Sequence, residues 1–387
     1  MIIRAKTRPD EWLWVNRALF VFLCGFIAFL HFYILSQYQH LIPSLLYFIV
    51  PAFLASLYVV ILSPLVIFWA GKWGVVDKPD ARKRHDQAVP LMGGLIVYIA
   101  FVSVYLLYNH WSVQTKSIMV GATIVMLLGS VDDIYPLSST TRLIGQSAAA
   151  LVVMSAGLVV SFMPDTFWGN LLAVAITYVW ILGIVNATNF VDGVDGLAAG
   201  FTAIAAMFFL VITLHLQQFY VTLMTSILVG SCLGFLMFNF KPARIYLGDG
   251  GSTFLGFMLA CFALYGEWST RGPVIALGIP VLILGVLIFD MVYITISRVR
   301  NGHVRTFRQW LDYTGRDHFH HRLLNLGFKE HQAVIFIYLT SIILGISALL
   351  MEHARVSYPV ILAMVQAVLI FMLISILMLM GRKVSGG

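Results

Sequence analysis

The chain has 387 residues, of which 60% are hydrophobic and 11% are charged, and its formal net charge is +7. Soluble domains carry roughly 25% charged residues, and a chain of this size cannot hide such an apolar excess inside a soluble core. The counts of Gly (31) and Pro (12) are too low for a low-complexity chain. A soluble globular enzyme and a disordered protein are therefore excluded, and an integral membrane protein remains.

Apolar segments recur along the whole chain, and no soluble domain remains between them. A bilayer core needs about 20 mostly apolar residues per helix. Several segments are short or contain glycine, and we expect these to be tilted or partly re-entrant. The predicted fold class is an all-α, polytopic transmembrane helical bundle of about 11–12 spanning helices. The predicted segments are 18–35, 46–70, 91–108, 117–131, 143–162, 170–187, 198–215, 220–238, 253–266, 273–297, 333–351 and 358–380.

The charged residues are distributed unequally between the two sides of this bundle. If the segments alternate in direction, all of the 24 Lys and Arg residues except Lys116, Arg271 and Arg355 fall on one side. The positive-inside rule makes that side cytoplasmic, with both termini there. Five carboxylates lie at the membrane boundary of the same face, where an unpaired charge is costly. We therefore expect a cytoplasmic active site that contains Asp132, Asp133, Asp192, Asp195 and Asp249.

The first acidic motif is GSVDDIYPLSSTTR, residues 129–142, in which Asp132 and Asp133 end an apolar helix. Pro136 prevents this helix from continuing. Two neighbouring acids repel each other, so they persist best beside a cation or a substrate that carries a proton. The alternative is an ordinary polar helix end that faces water.

The second acidic motif is NATNFVDGVDGLAAG, residues 186–200. Asp192 and Asp195 are three residues apart, so they share a face if this segment is a helical turn. Gly193 and Gly196 remove side-chain bulk beside them. Magnesium takes hard oxygen ligands, typically one or two carboxylates together with substrate phosphate. A calcium loop is the alternative, although the longer ligand series of an EF-hand is missing.

The third motif is NFKPARIYLGDGGSTFLGF, residues 239–257, with Asp249 among three glycines and with Ser252 and Thr253 opening the next helix. Glycines before a helix N-terminus expose backbone N–H groups that suit anions, and the carboxylate suits a cation that bridges to the anion. Tyr246 lies three residues earlier. It either stacks on a nucleotide base or serves as an ordinary interfacial aromatic residue.

Two basic loops complete the set of motifs. The loop 298–328 combines six arginines with four histidines, which suits a diphosphate substrate and its metal. A zinc site and anionic lipid headgroups are the alternatives. In the loop 77–94, Arg84 and His85 could hold a phosphate, although lipid headgroups would explain that charge almost as well. Asp290, inside an apolar segment, is interpreted as the structural partner of a loop cation, with a proton relay as the alternative.

These five motifs, taken in chain order, resemble those of the polyprenyl-phosphate N-acetylhexosamine-1-phosphate transferases, the family of WecA, TagO and MraY. The matching blocks are KPDARKRHDQAVPLMGG, VDDIYPLSSTTRLIGQ, NATNFVDGVDGLAAG, RIYLGDGGSTFLGF and RDHFHHRLLNLG. The His-Phe-His-His block is most similar to the WecA branch, and the resemblance covers roughly residues 55–380. It divides the chain into an extra N-terminal segment with one transmembrane helix, 1–40, and a transferase domain, 41–387, with active-site loops 71–90, 131–142, 186–200, 239–253 and 298–332.

The resemblance implies an enzyme that transfers an N-acetylhexosamine-1-phosphate, most readily GlcNAc-1-phosphate, from a UDP-sugar to undecaprenyl or another polyprenyl phosphate. UMP is released, and the product initiates a cell-envelope polysaccharide such as O-antigen. The implied cofactor is Mg²⁺, for which Mn²⁺ can substitute. The implied location is the bacterial cytoplasmic (inner) membrane, among membrane lipids, without a nucleic-acid partner and with homodimers common. The implied residues are, for catalysis or orientation of the lipid phosphate, Asp132 and Asp133; for the metal, Asp195 and Asp249; and for substrate binding, Asn189, Asp192, Tyr246, Arg298, Arg300, His318, His320, His321, Arg84 and His85.

Two other classes of protein are weighed against this one. A polytopic transporter or permease with a cytoplasmic-face anion site would place its binding residues near the membrane midplane, on broken helices in repeated halves. Here the polar motifs lie at one face and no repeat is evident. A non-catalytic lipid-binding scaffold would not need all five acids. The sequence leaves the identity of the sugar, the polyprenol length and the downstream polymer open.

Overall fold

The computed structural model describes residues 42–77, 88–268, 273–306, 309–310, 313, 315, 317–353 and 357–385. These residues are almost entirely helical, which confirms the predicted all-α polytopic class. The short antiparallel strands are β1 (Val76–Asp77) and β2 (Val89–Pro90). The helices are α1 Ile42–Trp73, α2 Gly93–Tyr108, α3 Val113–Ile134, α4 Ser139–Ser155, α5 Phe167–Val191, α6 Leu197–His215, α7 Phe219–Asn239, α8 Gly248–Tyr265, α9 Pro273–Ile283, α10 Gly285–Arg300, α11 Phe319–Asn325, α12 Glu330–His353 and α13 Ser357–Ser385.

Seven of the described helices, α1, α3, α5, α6, α7, α12 and α13, are long and apolar enough to cross a bilayer. Three further predicted segments correspond to α2, α4 and α8, which are shorter or more polar. Helix α2 has 16 residues, and α8 begins with Gly-Asp-Gly-Gly, which lowers its apolar character. The predicted segment 18–35 and the predicted extension 1–40 lie outside the described residues.

The segment 273–297, predicted as one span, is a bent pair of helices. Helices α9 and α10 meet at Leu284 with an angle of 80° between them, and together they would form an eighth span. Pro280 lies inside α9 and removes a hydrogen-bond donor from the helical ladder, and Gly285 begins α10. The apolar pattern alone does not show this break, because both halves are apolar.

The centre of the bundle is formed by α6 and α7, and in each helix 89% of an apolar stretch of 18 residues is buried. The outer helices α1 and α13 bury only 22% and 17% of theirs, and their large apolar side chains face outward. A helix that is apolar on all sides is stable either inside a bundle or against lipid. Burial therefore separates the central helices from those that face the membrane.

The start of α8 is held between α2 and α3 by direct backbone contacts between glycines. A methyl group on Gly94 would lie 2.1 Å from the Cα of Gly251, and one on Gly129 would lie 2.4 Å from the Cα of Gly250. The backbone N–H of Gly94 donates to the carbonyl of Leu247 at 2.8 Å. Because no side chain separates these backbones, the position of α8 relative to α2 and α3 is fixed closely.

Candidate active site

The carboxylate of Asp133, near the end of α3, caps the N-terminus of α8. Its two oxygens accept hydrogen bonds from the backbone N–H groups of Asp249, at 2.7 Å, and Gly250, at 3.2 Å. Gly248 begins the helix with a φ of +77°, a conformation that favours glycine, and a methyl group there would lie 2.5 Å from Asp133. An acid at this place satisfies orphan N–H groups and the positive end of the helix dipole. Helix α8 therefore begins at Gly248, earlier than the expected opening at Ser252 and Thr253.

Asp249 thus lies in the first turn of α8, and α5 orients its side chain. The amide nitrogen Nδ2 of Asn189 donates to Oδ1 of Asp249 at 2.8 Å and lies 2.9 Å from the hydroxyl of Ser252. The predicted residues Asn189 and Asp249 are therefore in direct contact, although they are 60 positions apart in the chain.

The neighbouring acid, Asp132, has different partners from Asp133. Its Oδ1 accepts from the backbone N–H of Leu137 at 2.6 Å, and its Oδ2 lies 3.0 Å from Nε of Arg142. The Asp132 side chain is 3% exposed, whereas that of Arg142 is 42% exposed. The two adjacent carboxylates are therefore separated in role: one holds α8, and the other holds the turn that leads into α4.

A cavity lies between α3, α4, α5 and α8, with polar residues on its walls. Asn186 donates to Gln146 at 2.8 Å there, so α5 and α4 are also joined by a pair of amides. Asp132, Asp249 and Asn189 are the residues of the predicted site that line this cavity. Its lining residues are Val125, Leu128, Gly129, Asp132, Ser139, Arg142, Leu143, Gln146, Asn186, Asn189, Phe190, Asp249, Thr253 and Tyr313.

Asp192 and Asp195 lie in the short turn between α5 and α6, as the predicted segments 170–187 and 198–215 imply. Gly196 ends the turn with a φ of +78°, and its carbonyl accepts from the buried hydroxyl of Tyr338 at 2.6 Å. The Oδ2 of Asp195 accepts from the backbone N–H of Ala243 at 3.1 Å. Gly196 separates α5 from α6 by adopting the left-handed conformation, which the spacing of the acids alone does not indicate.

The electrostatics of this turn indicate that the acidic motifs converge. Burial raises the pKa of Asp192 well above its usual range, and the negative charges of Asp249, Asp133 and Asp195 raise it further. Four carboxylates from α3, the α5–α6 turn and α8 therefore influence one another. A site that collects this much negative charge is stabilised by a bound cation.

Tyr246 lies on the loop before α8, close to the same turn. Burial raises the pKa of its hydroxyl, and the charges of Asp195, Asp77 and Asp192 raise it further. Its backbone N–H donates to the carbonyl of Pro90 at 2.8 Å. The strand pair β1–β2 therefore holds Tyr246 beside the acids.

The histidine block is attached to α10 through Asp290. Nδ1 of His318 lies 2.9 Å from one oxygen of Asp290, and the backbone N–H of Phe319 donates to the other oxygen at 2.8 Å. Asp290 is 4% exposed. Its interpretation as a structural partner of the loop agrees with these contacts, and the partner is a histidine together with a backbone N–H group.

Arg298, predicted to bind the diphosphate, is buried and bound within the loop itself. Its Nε and Nη2 donate to the two oxygens of Asp317 at 2.8 and 2.7 Å, and its guanidinium stacks on Tyr313 with 4.5 Å to the ring centroid. Burial alone would raise the pKa of Asp317, but the hydrogen bonds and charge of Arg298 lower it below its usual value. Arg300 is exposed at the end of α10.

The remaining histidines connect the loop to the acidic turn. His320 is buried, and a methyl group on Gly193 would lie 3.0 Å from its Nε2. The rings of His320 and His321 have centroids 4.1 Å apart, and His318 lies against Phe190 of α5 with 4.8 Å between ring centroids. The structure therefore places the histidine block beside the acidic turn.

Arg84 and His85 lie outside the described residues. Several residues that contact the predicted site or line its cavity were not singled out for it by the sequence: Arg142, Gln146, Asn186, Ser252, Tyr313 and Asp317. All of these residues except Tyr313 lie within the matching blocks, so membership of a block was a usable signal. Their pairings depend on tertiary packing.

These features define a multi-pass helical membrane protein whose acidic site is assembled from the ends of several helices. Residues 115–267 match the family model described as "Glycosyl transferase family 4". The chain is 36% identical over 315 residues, or 80% of this chain and 86% of the relative, to the "Probable undecaprenyl-phosphate N-acetylglucosaminyl 1-phosphate transferase" of Bacillus subtilis (strain 168).

Two further relatives carry similar names. The chain is 32% identical over 303 residues, or 69% of this chain and 73% of the relative, to the "Decaprenyl-phosphate N-acetylglucosaminephosphotransferase" of Mycolicibacterium smegmatis. It is 28% identical over 299 residues, or 74% of this chain and 79% of the relative, to the "Undecaprenyl-phosphate alpha-N-acetylglucosaminyl 1-phosphate transferase" of Escherichia coli (strain K12). The chain belongs to glycosyl transferase family 4 and is a membrane-embedded transferase, as the motifs predicted. The names of these relatives do not favour the transporter alternative.

Proposed function

We propose that this protein transfers GlcNAc-1-phosphate from UDP-GlcNAc to a polyprenyl phosphate, releasing UMP and forming a lipid-diphospho-sugar. The observation that carries the proposal is the direct hydrogen bonding of Asp133 and Asn189 to Asp249, which joins three of the acidic motifs at one end of the bundle. The names of the relatives supply the polyprenyl phosphate and the GlcNAc-1-phosphate group, and the family resemblance supplies the UDP donor. In this reaction an oxygen of the lipid phosphate bonds to the β-phosphorus, the bond from that phosphorus to the bridging oxygen breaks, and UMP leaves with the electron pair.

The proposed metal is Mg²⁺, with Mn²⁺ as a substitute. The available donors around Asp192 are carboxylate oxygens, which are the ligands that Mg²⁺ prefers. A cation would relieve the repulsion that, in addition to burial, raises the pKa of Asp192. We assign the metal to Asp195 and Asp249. When bound, Mg²⁺ neutralises charge on the donor diphosphate, which is the main requirement of phosphoryl transfer.

The cavity beside Asp132 is the proposed place for the phosphate of the lipid. The Arg142 guanidinium is partly exposed there and is held by the Asp132 carboxylate. An arginine fixed in this way can orient a phosphate by paired hydrogen bonds. The second pKa of a phosphate is about 6, so the nucleophile is mostly ionised at neutral pH. Asp132 therefore acts mainly in orientation.

The roles of Asp133 differ from what its position beside Asp132 suggested. Both of its oxygens hold the start of α8, so we assign it to positioning Asp249 and not to proton transfer. Asn189 has the same function from the other side, through its bond to Asp249. Asp192 is assigned to the nucleotide diphosphate and its metal.

The donor sugar and diphosphate are proposed to bind between the acidic turn and the histidine block. His320 and His321 lie next to the turn, and Arg300 offers an exposed cation. Arg298 and His318 hold this loop in place through Asp317 and Asp290. We propose that Tyr246, beside Asp195, stacks on the uracil ring.

The proposed orientation places this site on the cytoplasmic side of the bacterial inner membrane, supported by the distribution of Lys and Arg. The polyprenyl chain then remains in the bilayer while the water-soluble donor arrives from the cytoplasm. Membrane lipids are inferred as surroundings, and a homodimer is inferred from the family resemblance.

The direct test is to measure UMP release by the purified protein from UDP-GlcNAc and polyprenyl phosphate. We expect release that stops with EDTA and returns with Mg²⁺, and release that is lost in D249N. D165N is a matched control, because Asp165 is an exposed acid outside the site. A panel of UDP-sugars in the same assay identifies the sugar. The proposal would be contradicted if no donor gave UMP release from protein whose thermal unfolding transition shows that it is folded.

A further inference from the structure

A second cluster of metal-ligating side chains lies at the other ends of the helices that carry the acidic turn. Helix α6 begins two residues after Asp195 and ends at His215, and α12 ends with Glu352 and His353. At 1.5 Å per residue, the 19 residues of α6 separate the two clusters by roughly 28 Å. The cluster of His215, Glu352 and His353 is therefore close to the opposite surface of the membrane and has no place in the transferase chemistry.

The three side chains converge closely. Nδ1 of His215 lies 3.1 Å from Oε1 of Glu352, and Nδ1 of His353 lies 2.7 Å from Oε2 of the same carboxylate. The two imidazole rings are nearly parallel, with centroids 4.8 Å apart. One candidate ligand atom from each residue lies within 4.8 Å of those of the other two.

These distances fit a small transition-metal ion. Zinc takes nitrogen and oxygen ligands at about 2.0–2.1 Å in a tetrahedron, which puts neighbouring ligand atoms about 3.3 Å apart. The distance of 3.1 Å between His215 and Glu352 is close to this value, and the distance of 2.7 Å between His353 and Glu352 is shorter, so the His353 ring must move outward when an ion enters. Imidazole nitrogen favours zinc and related transition metals over Mg²⁺ and Ca²⁺. Two histidines and one glutamate are also a set that leaves a fourth position for water.

Burial gives the cluster the form of a site with one open side. The Glu352 side chain is 4% exposed, whereas His215 and His353 are 33% and 31% exposed. The carboxylate is thus fixed at the base, and the imidazoles at the rim are accessible from water. Nδ1 of His353 also lies 3.0 Å from the carbonyl of Leu349, so metal binding requires this nitrogen to leave that contact or the ring to present Nε2.

We propose that His215, Glu352 and His353 form a divalent transition-metal site, suited to Zn²⁺, on the side of the membrane opposite the aspartates. A metal there joins the end of α6 to the end of α12. These helices are also joined at their other ends, through Tyr338 and Gly196. Because an ion that binds only the folded chain stabilises it, the site fastens the helix pair whose opposite end presents the acidic turn.

The test uses the full-length protein in detergent, first stripped of metal. It is then titrated with Zn²⁺ by calorimetry in the presence of excess Mg²⁺, which is added to fill the site proposed at Asp195 and Asp249. We expect one bound Zn²⁺ that raises the apparent Tm, and tetrahedral absorption bands when Co²⁺ is used instead. E352Q, H215Q and H353Q should each weaken Zn²⁺ binding by at least the roughly 10–100-fold that loss of a supporting contact costs. A cooperative thermal unfolding transition of each variant, measured without Zn²⁺, shows that it is folded.

Two further variants locate the ion. H110Q changes an exposed histidine outside the cluster and should bind Zn²⁺ as the unchanged protein does. H320Q should also retain this ion. Zinc affinity that is unchanged in E352Q would overturn the proposal. If the affinity were also lost in H320Q, the ion would lie in the histidine block instead. The transferase activity is measured separately, so its failure would not be confused with failure of this site.

Discussion

The most informative substitution is Asp133→Asn, because the contacts of Asp133 separate a positioning role from a role in the chemistry. The carboxylate accepts two backbone N–H bonds at the start of α8. An asparagine of the same shape can accept only one, and its NH₂ group then faces the second N–H. A hydrogen bond to a charged group is worth about 1.5–3 kcal/mol, and loss of the charge at the helix terminus adds about 0.3–1 kcal/mol.

D133N should therefore lower the apparent Tm, and turnover should fall by roughly 10- to 150-fold if the 1.5–3 kcal/mol acts entirely on the transition state. D249N should abolish turnover without lowering the Tm, because it removes a charge that repels Asp192. The assay is UMP release at saturating Mg²⁺, with thermal unfolding of the same preparations and D165N as the control. If D133N kept the original Tm and lost as much turnover as D249N, Asp133 would act in the reaction and the positioning role would be wrong.

Three further predictions follow from individual contacts. Gly94→Ala places a methyl group 2.1 Å from the Cα of Gly251, so it should cost about 1–3 kcal/mol of stability and lower the Tm. The control is Gly183→Ala in α5, where the added methyl group meets nothing within 4 Å and should cost no stability. Arg142→Lys removes the planar guanidinium beside Asp132, so it should raise the KM for polyprenyl phosphate roughly tenfold, about 1.4 kcal/mol. The KM for UDP-GlcNAc should be nearly unchanged. Equal changes in both KM values would contradict the lipid-phosphate assignment. Arg298 lowers the pKa of Asp317, so their ion pair stabilises the fold above about pH 4 and is lost as the pH falls through the lowered pKa. The Tm difference between the unchanged protein and D317N should therefore shrink below about pH 4. A Tm difference that grew there would contradict the ion-pair account.

The sequence predicted the membrane bundle well because apolar runs, basic loops and acidic turns depend on local composition. The end of α3 at Asp132 and Asp133, followed by Pro136, is a local feature of this kind. The start of α8 was placed too late. Its cap comes from Asp133, 116 positions away from Asp249, and no local pattern contains such a cap.

The candidate site was also predictable in its composition but not in its internal contacts. Adjacent Asp132 and Asp133 look equivalent in the sequence, and only the packing of α8 gives them different partners. Arg298 seemed available for a substrate because Asp317, 19 positions later, was not recognised as its partner. Pairings across the fold therefore decide which of the charged residues reach a ligand.

The central claim is that Asp195 and Asp249 hold one divalent ion. It is tested most directly by the affinity of Mn²⁺, measured by electron paramagnetic resonance in the presence of UMP, for the unchanged protein, D195N, D249N and the double variant. If both residues bind the same ion, each single substitution removes most of the binding, and the double variant is little worse than either one. Losses that simply add, or full Mn²⁺ affinity in D195N, would contradict the shared site.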